Sequence, residues 1–269
     1  MLHKKIEALR PNSQATLTTY IIENSAEIEV NRLRPAVIIC PGGGYEMLSD
    51  REAEPIAIKM MSFGFQAFVL HYSIKPAVYP IALTELATAV QLVRQQHEAW
   101  HVDPDKIIVA GFSAGGHLAA NLGVSWQEPF LSELLDGQKE EWMPNGLLLS
   151  YPVLSSGKFA HEGSFQSLLA DAYVEQKGAL SLEHLGYAQT PPTFLGHTLE
   201  DGLVAAENRL LFAEQLRKYD VPYEMHTFPR GGHGLSLGTK ETANGGIHNI
   251  EPSVVRSPEL FADWVKWNI

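Results

Sequence analysis

Residues 106–117 read Lys-Ile-Ile-Val-Ala-Gly-Phe-Ser-Ala-Gly-Gly-His, and this stretch decides the fold. An apolar run of strand length leads directly into Gly-x-Ser-x-Gly at 111–115, and small residues that suit a helix follow. This setting is typical of a nucleophile elbow, a sharp strand-to-helix turn that carries one serine at its tip. Both glycines are needed because the strand and the helix approach too closely for side chains. We predict Ser113 as the nucleophile; an ordinary glycine-rich turn is the alternative.

Apolar runs of strand length recur on both sides of this elbow, and most are separated by segments long enough for helices. This alternation predicts an α/β fold with a mainly parallel sheet and helices on both faces. Two more polar segments, 16–22 and 27–31, alternate as an antiparallel edge hairpin would. The apolar runs lie at 36–40, 66–71, 106–110, 146–153, 192–196 and 223–228.

Helical spacing of apolar residues predicts four helices besides the one that follows the elbow. At the first of them, Ser49 and Glu52 have the spacing of a capping box, in which each side chain bonds the other residue's backbone. The interval 155–189 breaks the rhythm and is a candidate small cap or an ordinary long crossover. The four helices are expected near 49–63, 80–100, 204–219 and 258–267.

Length and charge limit the classes of function. The 269 residues with 45% apolar content suit a single domain over 1–269. A net charge of −11 without a basic block argues against a nucleic acid or an anionic membrane as partner. Residues 1–10 are charged, and no apolar run reaches membrane-spanning length, so we expect a cytoplasmic protein. A homo-oligomer is possible, but no pattern identifies its interface.

A serine hydroxyl needs a base and an orienting acid to act as a nucleophile at neutral pH. His233 lies in the glycine-rich loop 229–234, directly after the last predicted strand, and is the predicted base. His197 is the rival, because it ends the strand before the predicted acid. His226 and His117 lie inside a strand and a helix, where packing roles are more common.

Two carboxylates follow the strand at 192–196, one strand before the loop of the base. Asp201 is the predicted acid, since a carboxylate at this place can reach the imidazole and stabilise its protonated form. Glu200 is the alternative. Either residue could instead be a favourable negative charge at the start of the next helix.

The glycines after the strand at 36–40 can direct backbone N–H groups at a developing negative oxygen. We predict an oxyanion hole from the N–H groups of Gly43, Gly44 and Ala114. A phosphate loop is disfavoured because the lysine and hydroxyl residues of that motif are missing. The sequence contains no cysteine pair, no HExxH motif and no dense acidic cluster that would indicate a metal site. We expect no cofactor.

These motifs resemble those of α/β-hydrolases of the esterase and lipase kind, and specifically of bacterial acetyl-xylan esterase-like carboxylesterases related to hormone-sensitive lipase. The resemblance implies a mainly parallel sheet of about eight strands flanked by helices, and it matches Ser113, Asp201 and His233 to the family's triad. Pro41 stands where the lipase loop usually opens with histidine. The matching segments are 41–45, 79–90, 103–107, 111–117, 190–194 and 228–234.

The expected activity is hydrolysis of short-chain acyl esters, acetyl esters foremost, through an acyl-enzyme on Ser113. Acetylated carbohydrates are one candidate class of small-molecule substrate. An aryl-formamide hydrolase or a small peptidase would use the same residues on another acyl bond. A non-catalytic small-molecule binder on the same scaffold is the alternative from a different class.

Overall fold

Eight strands form one sheet in the computed structural model, which describes residues 2–6, 9–11, 13–185, 188–244 and 250–269. Their spatial order is β1-β2-β4-β3-β5-β6-β7-β8. Pairing is antiparallel between β1 and β2 and between β2 and β4, and it is parallel at every other junction. The strands are β1 (Leu2–Ile6), β2 (Thr16–Ile21), β3 (Arg34–Cys40), β4 (Gln66–His71), β5 (Val102–Phe112), β6 (Gly146–Ser150), β7 (Thr193–Thr198) and β8 (Tyr223–Phe228).

The mainly parallel α/β sheet predicted from the sequence is confirmed, but one strand of the predicted edge hairpin is wrong. The partner of β2 is β1, whereas 27–31 forms turns and a single bridge between Ser25 and Glu29. Ile28 and Val30 are 74% and 60% exposed, so their alternation has no apolar surface to cover. No strand is predicted at 2–6, because two lysines lie at the centre of this segment.

Helices cover both faces of the sheet. Alternation along β3 divides the core, because Ala36, Ile38 and Cys40 face one apolar cluster while Val37 and Ile39 face the other. Helices α2, α3 and α7 bury apolar side chains in the first cluster, and α1 and α8 in the second. The helices are α1 (Glu54–Met61), α2 (Ile81–Gln95), α3 (Ala114–Ser125), α4 (Pro129–Leu134), α5 (Glu162–Leu169), α6 (Tyr173–Gln176), α7 (Glu207–Lys218) and α8 (Ser257–Asn268).

The predicted capping box at Ser49 is wrong. A 3₁₀ turn, Asp50–Glu52, precedes α1, and the Ser49 side chain makes no capping hydrogen bond. Glu52 turns into the protein interior, where only 2% of its surface is exposed, so its carboxylate is directed away from the Ser49 backbone. This inward turn places a carboxylate beside the strand ends that carry the functional groups.

The interval 155–189 follows β6 and contains no strand in its described part. It consists of α5, α6 and short 3₁₀ helices joined by turns. From within the interval, the Leu182 N–H donates a hydrogen bond to Leu154 O. The N–H of Tyr79, which lies outside the interval, donates to Leu168 O. These bonds hold the interval against the carboxyl ends of the strands. None of the helices described here combines the length and the apolar character needed to cross a membrane.

Candidate active site

Ser113 lies between β5 and α3, at the tip of a sharp turn. Its backbone has φ 52° and ψ −118°, a conformation that L-residues rarely adopt. A Cβ atom on Gly111 would lie 2.2 Å from Gly115 O, and one on Gly115 would lie 2.1 Å from Cys40 O. No side chain fits at these distances, so the turn requires glycine on both sides of the serine. The serine is thereby held at the carboxyl edge of the sheet.

The loop after β8 brings His233 to this serine. Ser113 Oγ lies 2.8 Å from His233 Nε2, and His233 Nδ1 lies 2.7 Å from Asp201 Oδ2. A continuous hydrogen-bond chain therefore runs from the hydroxyl through the imidazole to the carboxylate. The sequence-predicted residues come together from three separate strand ends, those of β5, β7 and β8.

The carboxylate of Asp201 is held from several sides. Its Oδ1 accepts the N–H groups of Leu203 at 3.0 Å and Val204 at 2.9 Å. Burial raises the pKa of Asp201, but hydrogen bonds from His197, His233 and Val204 outweigh burial, so the pKa lies well below its usual range. Asp201 is therefore an anion at neutral pH, and it can orient an imidazole and balance its positive charge.

His197, the rival base, contacts the carboxylate and not the serine. Its Nε2–H is shared between Asp201 Oδ2 at 3.1 Å and Val204 O at 3.0 Å. Glu200, the rival acid, lies outside the chain and accepts the N–H of Gly231 at 3.0 Å. The sequence placed His197 close to the site only as the rival base, and its role as a hydrogen-bond partner of Asp201 was not predicted.

The other two histidines considered from the sequence have different partners. His226 Nε2 lies 2.6 Å from Glu224 Oε1 on the same strand. His117 is buried in α3, where Tyr45 donates its hydroxyl to Nδ1 at 2.9 Å and Nε2–H donates to Leu180 O at 3.0 Å. His117 therefore connects the elbow helix to the glycine loop and to the interval 155–189.

The glycine loop after β3 lies directly against the serine. A Cβ on Gly42 would lie 2.8 Å from Ser113 Cβ, and Gly43 and Gly44 have φ 131° and 66°. Within the described residues, no acceptor takes the N–H of Gly43 or Gly44. The Ala114 N–H is at the N-terminus of α3, where a helix has no internal acceptor for it. These three N–H groups are suited to a developing oxyanion.

A cavity of about 330 Å³ opens at the hydrogen-bond chain. Ser113 and His233 line it together with the two glycines of the loop. Sequence reasoning did not identify the other side chains of its wall, because no motif marks them. They are Glu46, Met47, Ser49, Arg51, Glu52, His161 and Leu203. Since His161 precedes α5, the interval 155–189 contributes directly to this cavity.

Metal binding has no candidate in the described part of the chain. No group of three or more His, Cys, Asp or Glu side chains is placed there to hold a metal ion. The cavity instead presents a nucleophile, a base and backbone donors. This combination can carry out acyl transfer without a metal.

Comparison with known proteins identifies the family. The BD-FAE family model matches residues 26–216. The crystal structure of MGS-M1, an alpha/beta hydrolase enzyme from a Medee basin deep-sea metagenome library, is 36% identical with a TM-score of 0.80, over 99% of this chain and 97% of that one. An acetyl ester-xyloside bifunctional hydrolase from Caldicellulosiruptor lactoaceticus is 35% identical with a TM-score of 0.79, over 95% and 88%.

Among curated proteins, the acetylxylan esterase of Xylanibacter ruminicola is 28% identical over 76% of this chain and 42% of its own length. The chain spans between 34% and 48% of the length of the first curated relatives that it matches. The resemblance drawn from the sequence motifs is confirmed. The chain belongs to the BD-FAE family and has the α/β-hydrolase fold.

Proposed function

We propose that the protein is a serine carboxylesterase that hydrolyses short-chain acyl esters, acetyl esters foremost. One observation carries this proposal: the unbroken hydrogen-bond chain from Ser113 through His233 to Asp201, which ends in a cavity. A serine with a base and an ionised acid behind it is the arrangement that acyl transfer requires. The esterase names of the relatives support the same reaction class.

In the proposed reaction, His233 Nε2 accepts the proton of Ser113 while Oγ attacks the acyl carbonyl carbon. The tetrahedral intermediate collapses, the ester C–O bond breaks, and the alcohol leaves with the proton from His233. Water then attacks the acyl-enzyme and gives its proton to His233, and the carboxylic acid departs as Ser113 recovers its proton. Asp201 balances the imidazolium in both halves of the reaction.

The N–H groups of Gly43, Gly44 and Ala114 would bind the carbonyl oxygen as it becomes negative. Donors fixed in the backbone need no reorganisation when the charge develops, and one such donor contributes about 10²- to 10³-fold in rate. The positive φ of both loop glycines supports this role, since glycine adopts that conformation without a steric penalty.

Acetyl esters of carbohydrates are the proposed substrates. One relative is named an acetylxylan esterase and another an acetyl ester-xyloside hydrolase. The cavity of about 330 Å³ has room for a small acyl group together with part of the alcohol. Its lining includes Glu46, Arg51 and His161, which can hydrogen-bond the hydroxyl groups of a sugar alcohol.

We further propose that residues 1–269 form one domain in which 155–189 is a small cap. His161 supports this proposal because it reaches the cavity wall from that interval. Cytoplasmic location and self-association stay predictions from the sequence.

Two assays test the proposed function. An aryl organophosphonate should label wild type and the control S62A, whose hydroxyl lies on the exposed end of α1, but it should not label S113A. Aryl esters from acetate to decanoate should show the highest kcat/KM for acetate. Labelling of S113A would refute the nucleophile. Faster turnover of decanoate, formanilide or a peptide anilide would refute the substrate class.

A further inference from the structure

Glu52 is a buried carboxylate beside the cavity to which the proposed reaction gives no role. It ends the 3₁₀ turn before α1 and is 2% exposed. Among the described residues it forms no ion pair with any cationic side chain. Burying a carboxylate without an ion pair is unfavourable, so hydrogen bonds must compensate for it.

Two hydrogen bonds do so, and each comes from a different part of the site. Glu52 Oε2 accepts the backbone N–H of Gly42 at 2.7 Å. Glu52 Oε1 accepts the hydroxyl of Tyr151, the first residue after β6, at 2.8 Å. One carboxylate therefore fixes the start of the glycine loop and the end of a central strand. A Cβ on Gly42 would lie 2.8 Å from Glu52 Oε2, so this contact allows only glycine.

Tyr151 extends the connection to the loop of the base. Its hydroxyl oxygen accepts the N–H of Ser236 at 3.0 Å, and its ring meets the imidazole of His233 edge-on with centroids 5.1 Å apart. Ser236 Oγ in turn donates to Arg51 O at 2.6 Å, which closes the network next to Glu52. The glycine loop and the base loop are thus tied to one buried group.

Both partners of Glu52 donate to it, which matches the ionised carboxylate as an acceptor. Burial raises the pKa of Glu52 above its ordinary value, and the hydrogen bonds from Tyr151 and Gly42 and the charges of His233 and Arg51 offset only part of this rise. The titratable groups that act on Glu52 are therefore His233, Arg51 and Tyr151. An anion here also favours the positive imidazolium that forms during the reaction.

We propose that Glu52 is a positioning residue. It holds the glycine loop through Gly42 and the loop of His233 through Tyr151, and so keeps the two loops at a fixed separation around Ser113. This role rests on the proposed function, since it acts through the oxyanion donors and the base. Misplacing such groups by about 1 Å costs up to about 10²-fold in rate.

The test compares E52Q with Y151F and the double variant. Glutamine keeps an acceptor for the Gly42 N–H but turns an amide donor toward the Tyr151 hydroxyl, so it cannot satisfy both partners. E54Q is the matched control, because Glu54 is an exposed carboxylate two residues further on. The readouts are kcat per phosphonate-titrated site, KM for an aryl acetate, and the pH profile of kcat/KM.

We expect E52Q and Y151F each to lower kcat per titrated site by about 10- to 100-fold, with little change in KM. The double variant should lose less than the product of the two single losses, because both break one network. E52Q should also shift the acidic limb of the profile to lower pH, since the anion facing the imidazolium is removed. E54Q should match wild type.

The proposal would be overturned if E52Q kept the wild-type kcat. It would also be overturned if the double variant lost the full product of the two single losses in kcat while the pH profile of E52Q matched that of wild type. If E52Q does not fold, Y151F decides, since it removes one hydroxyl and leaves the carboxylate in place: wild-type kcat in Y151F would then overturn the role. Failure of the proposed function has a different signature, because wild type itself would not be labelled by the phosphonate at Ser113.

Discussion

The buried imidazole of His117 predicts a pH-dependent loss of stability that can be calculated. Burial, which outweighs the hydrogen bond to Leu180 O and the charge of Glu183, lowers the pKa of His117 from 6.5 to about 4. The Tyr45 hydroxyl donates its hydrogen bond to His117 Nδ1. Protonation would place a hydrogen on Nδ1 and break this hydrogen bond. The folded protein therefore keeps this imidazole neutral.

The sign follows from proton binding. Between about pH 6.5 and about pH 4 the unfolded chain binds a proton at His117 that the folded chain does not, so the free energy of unfolding falls as pH falls. The pKa of His117 falls from 6.5 in the unfolded chain to about 4 in the folded protein, and this difference corresponds to about 3 kcal/mol in the free energy of unfolding. About 2 kcal/mol of this is lost between about pH 7 and about pH 5.

Urea unfolding of wild type and H117Q across this pH range isolates the contribution of His117 to the free energy of unfolding. All other titrating groups are present in both proteins, so their contributions cancel in the difference. H117Q should be less stable than wild type at neutral pH, and the gap should narrow by about 2 kcal/mol toward pH ~5. A constant gap between the two unfolding curves would refute the argument that this imidazole stays neutral when folded.

Two further substitutions test the geometry of the site. D201N should lower kcat per titrated site by about 10⁴-fold without preventing folding, since the amide leaves the imidazole wrongly oriented and its charge unbalanced; a loss below about tenfold would contradict the assigned acid. G115A places a Cβ 2.1 Å from Cys40 O and should lower the free energy of unfolding by about 3 kcal/mol. Its control G178A, with no atom within 4 Å of the added Cβ, should change it by less than about 0.5 kcal/mol.

The sequence predicts the sheet and the central residues because both depend on short-range signals. Apolar runs mark strands that are buried on two faces, and glycine-rich turns follow β3, β5 and β8. Because parallel strands end at one edge, residues after those ends must meet there. Ser113 and His233 were accessible to this reasoning although 120 positions separate them.

What the sequence could not predict depends on long-range contacts. Glu52 fits the spacing of a capping box, and only the packing of Tyr151 across the site shows why its side chain turns inward. His197 also ends a strand near the site, and only its place before the acid in the chain counts against it as the base. Its actual contact, from behind the Asp201 carboxylate, is visible only in three dimensions. At the edge of the sheet, charged β1 carries no periodic signal, so its pairing with β2 could only be seen in three dimensions.

The contribution of the interval 155–189 to the cavity wall has a practical consequence for engineering. The nucleophile stands on a turn whose backbone tolerates no side chain at Gly111 or Gly115. Among the described residues of the interval, His161 is the one that lines the cavity. A mutant library confined to His161 and its neighbours in the interval would therefore diversify alcohol preference while sparing the reactive centre. Selection on such a library could produce catalysts for new esters from an otherwise intact scaffold.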